Sequence, residues 1–445
     1  MPGAISVDMK KSHSHTNAAG HTVRVQRPER TQIEWRPAAL DQLITRDHRV
    51  RDVWAYIESL DVSSLYRDIQ SVEGGVGRDA VDPRILLALW MFATIEAVSS
   101  ARQVARLTER DLAYMWICGG VGVNHHLLSD FYAAQGEFLD ELLTDTIATL
   151  MDQGIVALNT VAQDGMRVRA SAGSSSFRRQ SSLEKCREEA AEQVRKLREE
   201  REQEGDQDTS NARQRAAVER AARERQERIE RALQQLPELQ KQREKRDKGT
   251  GEKARCSTTD PDARNMKMGD GGFRPAYNVQ FATDGQTRMI VSVDVTNNGS
   301  DGGQMAPMHA EVSDRYGKTP DQYVVDGGFV TNKDVTAVEQ TRTQVIGPMT
   351  HEDRIQKRGG DPHERRPGDS DEMYEFRQRM KTDEAKAIQR TRPSIAEFPN
   401  AECRNRGLRQ FRVRGLPKVY TSALWYVITF NFMRMLDLDA LKHAQ

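Results

Sequence analysis

From residue 183 to about 247 the chain is written almost entirely in Arg, Glu, Gln, Lys, Ala and Leu. No other feature limits the possible folds as much. These residues are strong helix formers, and apolar positions are sparse: Leu197, Val218, Ile229 and Leu233. Turn formers interrupt the middle of the block, at Gly205-Asp206 and Thr209-Ser210-Asn211. The simplest shape is a helical hairpin with arms of about 20 residues, roughly 30 Å long at ~1.5 Å per residue. Strand-like segments flank the block on both sides, so a helical hairpin over 181–251 must leave a sheet and return to it.

The text before that sheet is helical. Residues 1–37 are polar and aperiodic and read as a loosely attached tail, whereas 38–153 reads as an all-α domain. Asp82 followed by Pro83 is an N-cap with proline at the first helical position, opening the apolar run ILLALWMFATIEAV. Ser99 and Ser100 can start the next helix, and Thr108-x-x-Asp111 has the form of a capping box. Asn124 can cap one long amphipathic helix that runs through Leu127, Phe131, Phe138, Leu142 and Ile147 to Gly154.

Strand patterning begins at Val156 with TVAQDGMRVRAS, which Asp164-Gly165 interrupts. After Gly251, FRPAYNVQFAT and RMIVSVDVT read as a β-hairpin. A helix over about 302–316 follows, then the strand QYVVD, a helix over about 333–340, the strand TQVIG, and a densely charged irregular stretch over 350–381. A helix bearing Glu397, a basic run at 404–418 and the apolar helix SALWYVITFNFMRML complete the pattern. This order predicts an α/β, RNase H-like core: a mixed five-stranded sheet with flanking helices over 154–180 and 252–435, followed by a tail at 436–445.

The totals say little about partners, because 66 basic and 66 acidic residues leave a net charge of +0. Charge has to be read locally. Residues 386–420 carry Lys386, Arg390, Arg392, Arg404, Arg406, Arg409, Arg412, Arg414 and Lys418 against only Glu397 and Glu402. Such a stripe suits phosphate contacts. The four cysteines lie far apart and form no C-x-x-C pair, which reads as reduced thiols without disulfide or zinc. No leader pattern opens the chain, and no apolar run has the length of a membrane span, so a soluble intracellular protein is expected.

Three acidic side chains on separate elements are candidates for a hard-cation site. Asp164 lies on the first strand and Asp326 at the carboxyl end of a later one, each followed by glycine, while Glu397 lies on a helix. Mg²⁺ prefers carboxylate oxygen to His or Cys. Lys267 and Arg274 flank the chain's re-entry into the sheet, where they can meet a phosphate or flanking strand. Asp260 and Asp262 read as turn formers around Pro261. His125, His126 and Ser129 open a helix suited to reading base edges, while His351 and His363 read as solvated.

Several longer segments share one resemblance. DPRILLALWMFATIEAVSSARQVARL, RDLAYMWICGGVGVNHHLLSDF, VAQDGMRVRAS, TDPDARNMKMGDGGFRPAYNVQ, VVDGGFV and RGLRQFRVRGLPKV, spanning about 80–420, resemble in content and order the DDE transposases of bacterial insertion sequences. The match is to a branch with a helical insertion inside an RNase H-like core. It implies that Asp164, Asp326 and Glu397 are the catalytic residues and bind Mg²⁺, for which Mn²⁺ can substitute. In the Tyr, Arg, Glu, Lys signature around the family's Glu, Arg392 and Glu397 match. Gln389 and Arg404 stand at the tyrosine and lysine positions, Glu402 is a rival carboxylate, and Pro393 and Pro399 predict a late or kinked helix.

The implied activity is metal-dependent cleavage at transposon ends and strand transfer to target DNA. Terminal inverted repeats and target DNA would be the partners, with a homodimer holding two ends, in the bacterial cytoplasm beside the nucleoid. The helical domain would read the repeats. Lys267, Arg274, Arg392, Arg404, Arg406, Arg409, Arg412 and Arg414 would contact DNA. Two alternatives are a nuclease of the same fold and a non-catalytic DNA-binding descendant of a transposase.

Overall fold

The computed structural model describes residues 39–67, 69–72, 78–204, 209–349 and 352–443. The tail expected over 1–37, the Gly205-Asp206 turn and His351 lie outside them. Residues 1–43 form one unit, whose described part holds a single 3-10 turn, Leu40–Gln42. The rest of the chain, from Ile44, forms a second unit, described below.

Six helices come first: α1 (Arg49–Ser59), α2 (Pro83–Ile95), α3 (Ala101–Leu107), α4 (Leu112–Cys118), α5 (His125–Ala134) and α6 (Gly136–Asp152). Their starts follow local chemistry. Asp82 accepts from the Arg84 amide at 2.8 Å with Pro83 at the first helical position. Asn124 caps α5 through the amides of His126 and Leu127. The expected capping box is instead a boundary: Thr108 ends α3, and Asp111 caps α4 through the Ala113 amide at 2.9 Å. The single long helix expected after Asn124 is broken at Gln135. Gly136 opens its second half because a Cβ there would stand 2.7 Å from Thr421 Oγ1.

Strand β1 (Thr160–Arg169) is continuous through Gly165, so the expected interruption at Asp164-Gly165 is absent. β2 (Phe177–Arg178) leads into the insertion, α7 (Gln180–Glu204) and α8 (Thr209–Arg246). The arms are unequal at 25 and 38 residues, longer than expected. A small apolar cluster of Leu183, Ala232, Leu236, Ala254 and Cys256 anchors the base, whereas Val218, further out, is 45% exposed.

The chain re-enters through β3 (Cys256–Ser257), β4 (Arg264–Lys267), β5 (Phe273–Asp284) and β6 (Ile290–Thr296). Next come α9 (Met305–Tyr316), β7 (Gln322–Val324), α10 (Asn332–Glu339) and β8 (Gln344–Ile346). The main sheet has six strands rather than five, in the order β4-β5-β1-β7-β8, with β6 also on β5. β4 pairs with the first part of β5 and β6 with the remainder, so both share one edge of it. β1 is antiparallel to β5 and parallel to β7, and β7 is parallel to β8. This is a mixed sheet with flanking helices.

The stretch 350–381, expected to be irregular, holds α11 (Glu352–Gln356) and α12 (Asp371–Arg379). The buried ion pair Arg377–Asp369 at 2.7 Å fixes it. His363 is half-buried rather than solvated, its Nδ1 2.9 Å from the Arg377 carbonyl. Then come α13 (Asp383–Arg392), a π-turn (Pro393–Glu397), α14 (Phe398–Asn405) and α15 (Leu416–His443).

α15 ties these parts together. It packs on β6 and on α2, α5 and α6, and it is apolar around most of its circumference, as a helix enclosed on all sides must be. Trp425 is fully buried, stacked on Tyr132 at 5.6 Å, with its indole N–H donating to the Tyr132 carbonyl. Burying each such side chain contributes about 1.5–3 kcal/mol.

Candidate active site

Asp164 lies in the middle of β1. The parallel register ends with Ala162 paired to Val324, and Asp326 follows two residues past the end of β7, close enough for its charge to act on Asp164. Burial pushes the Asp164 carboxyl up to about 6, and the Asp326 charge adds to the rise; Arg392, the Gly165 amide and Asn400 oppose it. Asp326 Oδ1 accepts from the Gly328 amide at 2.7 Å, and a Cβ on Gly328 would stand 3.0 Å from that oxygen.

α13, the π-turn and α14 supply the rest. Asn400, in the first turn of α14, is 4% exposed and donates from Nδ2 to Asp164 Oδ2 at 2.9 Å. Its Oδ1 has no hydrogen-bond partner among the described residues. The Arg392 guanidinium lies between two carboxylates, 2.8 Å from Glu397 Oε1 and 3.8 Å from Asp164 Oδ1. A π-turn brings residues five apart in register, which is how Arg392 reaches Glu397 across Pro393. Glu402 pairs with Arg406 at 2.7 Å. Among the described residues, no three His, Cys, Asp or Glu side chains are gathered closely enough to hold a metal ion. Asp326 lies close enough to Asp164 for its charge to act on it, and among the described residues Arg392 links Glu397 to Asp164.

Behind the sheet lies a second polar group that sequence reasoning missed. Asp301 is buried against Gly165, and its carboxylate accepts from Asn278 at 2.7 Å, Gln280 at 3.0 Å and Arg167 at 2.9 Å. A Cβ on Gly165 would run deep into Asp301 Oδ1 and lie 2.6 Å from Gln280 Nε2. Gly165 is thus required for space rather than for a turn. The network continues from Gln280 to Gln163 and from Gln163 to the Tyr323 hydroxyl, each step 3.0 Å.

Two families match the chain: "Transposase domain (DUF772)" over residues 38–134 and "Transposase DDE domain" over 244–432. The chain belongs to the DDE transposases of insertion sequences. No curated protein and no solved structure matches it. The DDE segment contains Asp326 and Glu397 but not Asp164. β1 nevertheless joins that segment along nine paired positions of β5, from Val161–Asp284 to Arg169–Ala276.

The basic residues of this DDE transposase chain divide into two groups. Arg404, Arg409, Arg412, Arg414 and Lys267 are exposed. Arg409 donates to the Arg404 carbonyl, and Arg414 to the Ser171 carbonyl. Arg392, Arg406 and Arg274 are engaged by Glu397, Glu402 and Asp270. His126 and Ser129 are exposed on α5 and His125 is half-buried. Asp260 and Asp262 do more than make a turn. Asp260 accepts from the Tyr277 hydroxyl at 2.8 Å and the Gly415 amide at 3.2 Å. Asp262 accepts from Arg231 and Gln235 of the insertion and from the Leu416 amide. TDPDA therefore ties α8 to the start of α15. No helix of the described residues is long and apolar enough to cross a membrane.

Proposed function

We propose that the chain cuts DNA at transposon ends and joins them to target DNA, using Asp164, Asp326 and Glu397 around Mg²⁺, for which Mn²⁺ can substitute. The observation that carries this reading is the placement of Asp326 just past the end of β7, the strand paired with β1, close enough to Asp164 that its charge helps raise the Asp164 carboxyl. The sheet order supports an RNase H-like core: a long antiparallel β5–β1 pair, with β7 and β8 parallel to β1. The core comprises 154–180 and 252–435, with a DNA-reading helical domain at 38–153 and a helical insertion at 181–251.

The donor types suit a hard cation, since all three are carboxylates and a guanidinium already places positive charge between Asp164 and Glu397. Bound divalent metal would activate water and steady the attacking and leaving oxygens. Asp164 and Asp326 would anchor it from the sheet. Glu397 would join them if a DNA phosphate drew Arg392 away. Arg404, Arg409, Arg412 and Arg414 hold the backbone on one side, with Lys267 and Arg274 on the β4–β5 hairpin beyond them. Hydrolysis breaks a P–O3′ bond at the element's end and leaves a 3′-hydroxyl. That hydroxyl then attacks a target phosphodiester and displaces the target's own 3′ oxygen. Two ends require two copies of the chain, hence a homodimer on terminal repeats.

Asp326→Asn tests the proposal: strand cleavage in Mg²⁺ or Mn²⁺ should fall by at least about 10³-fold, with end binding retained. Unchanged cleavage would remove Asp326 from the chemistry. The Arg392–Glu397 pair favours one alternative, a DNA-binding protein that has lost cleavage. Wild-type binding without cleavage in either metal would select that alternative.

A further inference from the structure

We propose that Asn400 is a further metal-site residue: its amide nitrogen fixes Asp164, and its amide oxygen is a neutral ligand to the same divalent cation. This inference rests on the metal reading above. Asn400 is 4% exposed, and among the described residues its one side-chain hydrogen bond runs from Nδ2 to Asp164 Oδ2 at 2.9 Å. A carboxylate accepts and cannot donate, so it selects the NH₂ end of the amide and turns the carbonyl oxygen elsewhere. That oxygen has no partner among the described residues. Buried polar atoms are nearly always satisfied, and exceptions point to a function or to a bound ion or water.

The helix makes no use of the side chain: α14 continues directly from the π-turn and shows no side-chain cap. Asn400 is turned instead toward the sheet and the Asp164 carboxylate. An amide oxygen is a hard donor of the kind oxygen-seeking cations accept. Being neutral, it adds a ligand without adding to the repulsion between Asp164 and Asp326. Glu397 is held by Arg392 in this state, so Asn400 supplies an oxygen next to Asp164 before Glu397 is released.

The test is Mn²⁺ titration of the full-length protein without DNA, following free Mn²⁺ by electron paramagnetic resonance and recording thermal unfolding with and without the metal. Asn400→Ala should weaken Mn²⁺ binding by about 10–100-fold and shrink the metal-induced rise in Tm. Asn400→Asp restores an oxygen in the same place and should bind Mn²⁺ at least as well as the wild type. Its metal-free Tm should fall, because two carboxylates then face each other. Wild-type affinity in Asn400→Ala would overturn the proposal, and so would an Asn400→Asp variant that folds but binds as weakly as a folded Asn400→Ala. If Asn400→Ala does not fold, the Asp variant decides alone. Asp326→Asn separates the two levels of the argument. If the wild type binds no Mn²⁺, or Asp326→Asn binds it equally well, the metal site itself is refuted and Asn400's role with it. Loss of binding in Asp326→Asn together with wild-type affinity in Asn400→Ala refutes Asn400's role alone.

Discussion

Adjacent residues of one strand, Asp164 and Gly165, look into two polar environments of opposite character. Behind the sheet, Asp301 has a donor for each oxygen, and the chain of bonds continues without a gap through Gln280 and Gln163 to Tyr323. In front, Asp164 carries an unfavourable buried charge, and both the Asn400 oxygen and Arg392 Nη1 lack hydrogen-bond partners. Asn278 Oδ1 behind the sheet also lacks a partner among the described residues, so the contrast lies in the carboxylates: a fully engaged one holds a fold in place, whereas an under-satisfied one is tolerated where a ligand completes it. The proposed chemistry belongs to the Asp164 face of β1, while the Asp301 group on the other face holds the strand in place.

Substitutions on the two faces should therefore have opposite signs. The largest effect is expected behind the sheet. Asp301→Ala leaves the Asn278 and Gln280 amides without their acceptor and Arg167 with only the Gly299 carbonyl, and should cost about 3–5 kcal/mol, read as a lowered urea midpoint. Asp164→Asn, in front, removes a poorly solvated charge and should stabilise the metal-free protein by about 1–3 kcal/mol while abolishing cleavage. A destabilised Asp164→Asn variant, or an indifferent Asp301→Ala, would dissolve the contrast.

The pH dependence sharpens it. The Asp164 carboxyl sits near 6 when folded against about 3.9 when unfolded, so the native state holds more protons between those values. Metal-free stability should rise as pH falls from about 6 to 4, by linkage. Mn²⁺ affinity should run the other way, because protonation removes a ligand. Asp164→Asn should flatten the stability profile in that window. A wild-type profile already flat there would show that Asp164 is not strained by burial.

Part of this contrast is readable in the sequence and part is not. Asp82-Pro83 and Asn124 announce their helices because caps act within a few residues, and Asp164 and Asp326 stand out as carboxylates on strand-like text. Asp301 sits in TNNGSDGG, which reads only as a turn, and nothing local says that it folds beneath Gly165 from 136 residues further along the chain. Asn400 is equally silent, since its meaning comes from Asp164 across the fold. The Arg392–Glu397 pair was hidden by its spacing of five, which an α-helix separates and the π-turn joins. Gly136 marks a break visible only once Thr421 of α15 lies against it.

The smallest expected effects lie on the exposed surface. Arg404→Ala, Arg409→Ala or Arg412→Ala should leave stability within about 0.5 kcal/mol. Each should weaken binding to any DNA duplex and lower the salt slope of log Kd by about one. Arg406→Ala should do less to binding, because Glu402 already engages that guanidinium. Equal slopes for all four variants would place the DNA elsewhere.

The measurement that bears most directly on the central claim is a crystal structure of the chain with Mn²⁺ and a cleaved end duplex, with the metal located by anomalous scattering. The account predicts a peak about 2.0–2.2 Å from carboxylate oxygens of both Asp164 and Asp326, with Arg392 turned to a phosphate and Glu397 released toward the metal. An ordered complex with no peak between those two aspartates, or with Glu397 still bound to Arg392 beside a filled metal site, would contradict it.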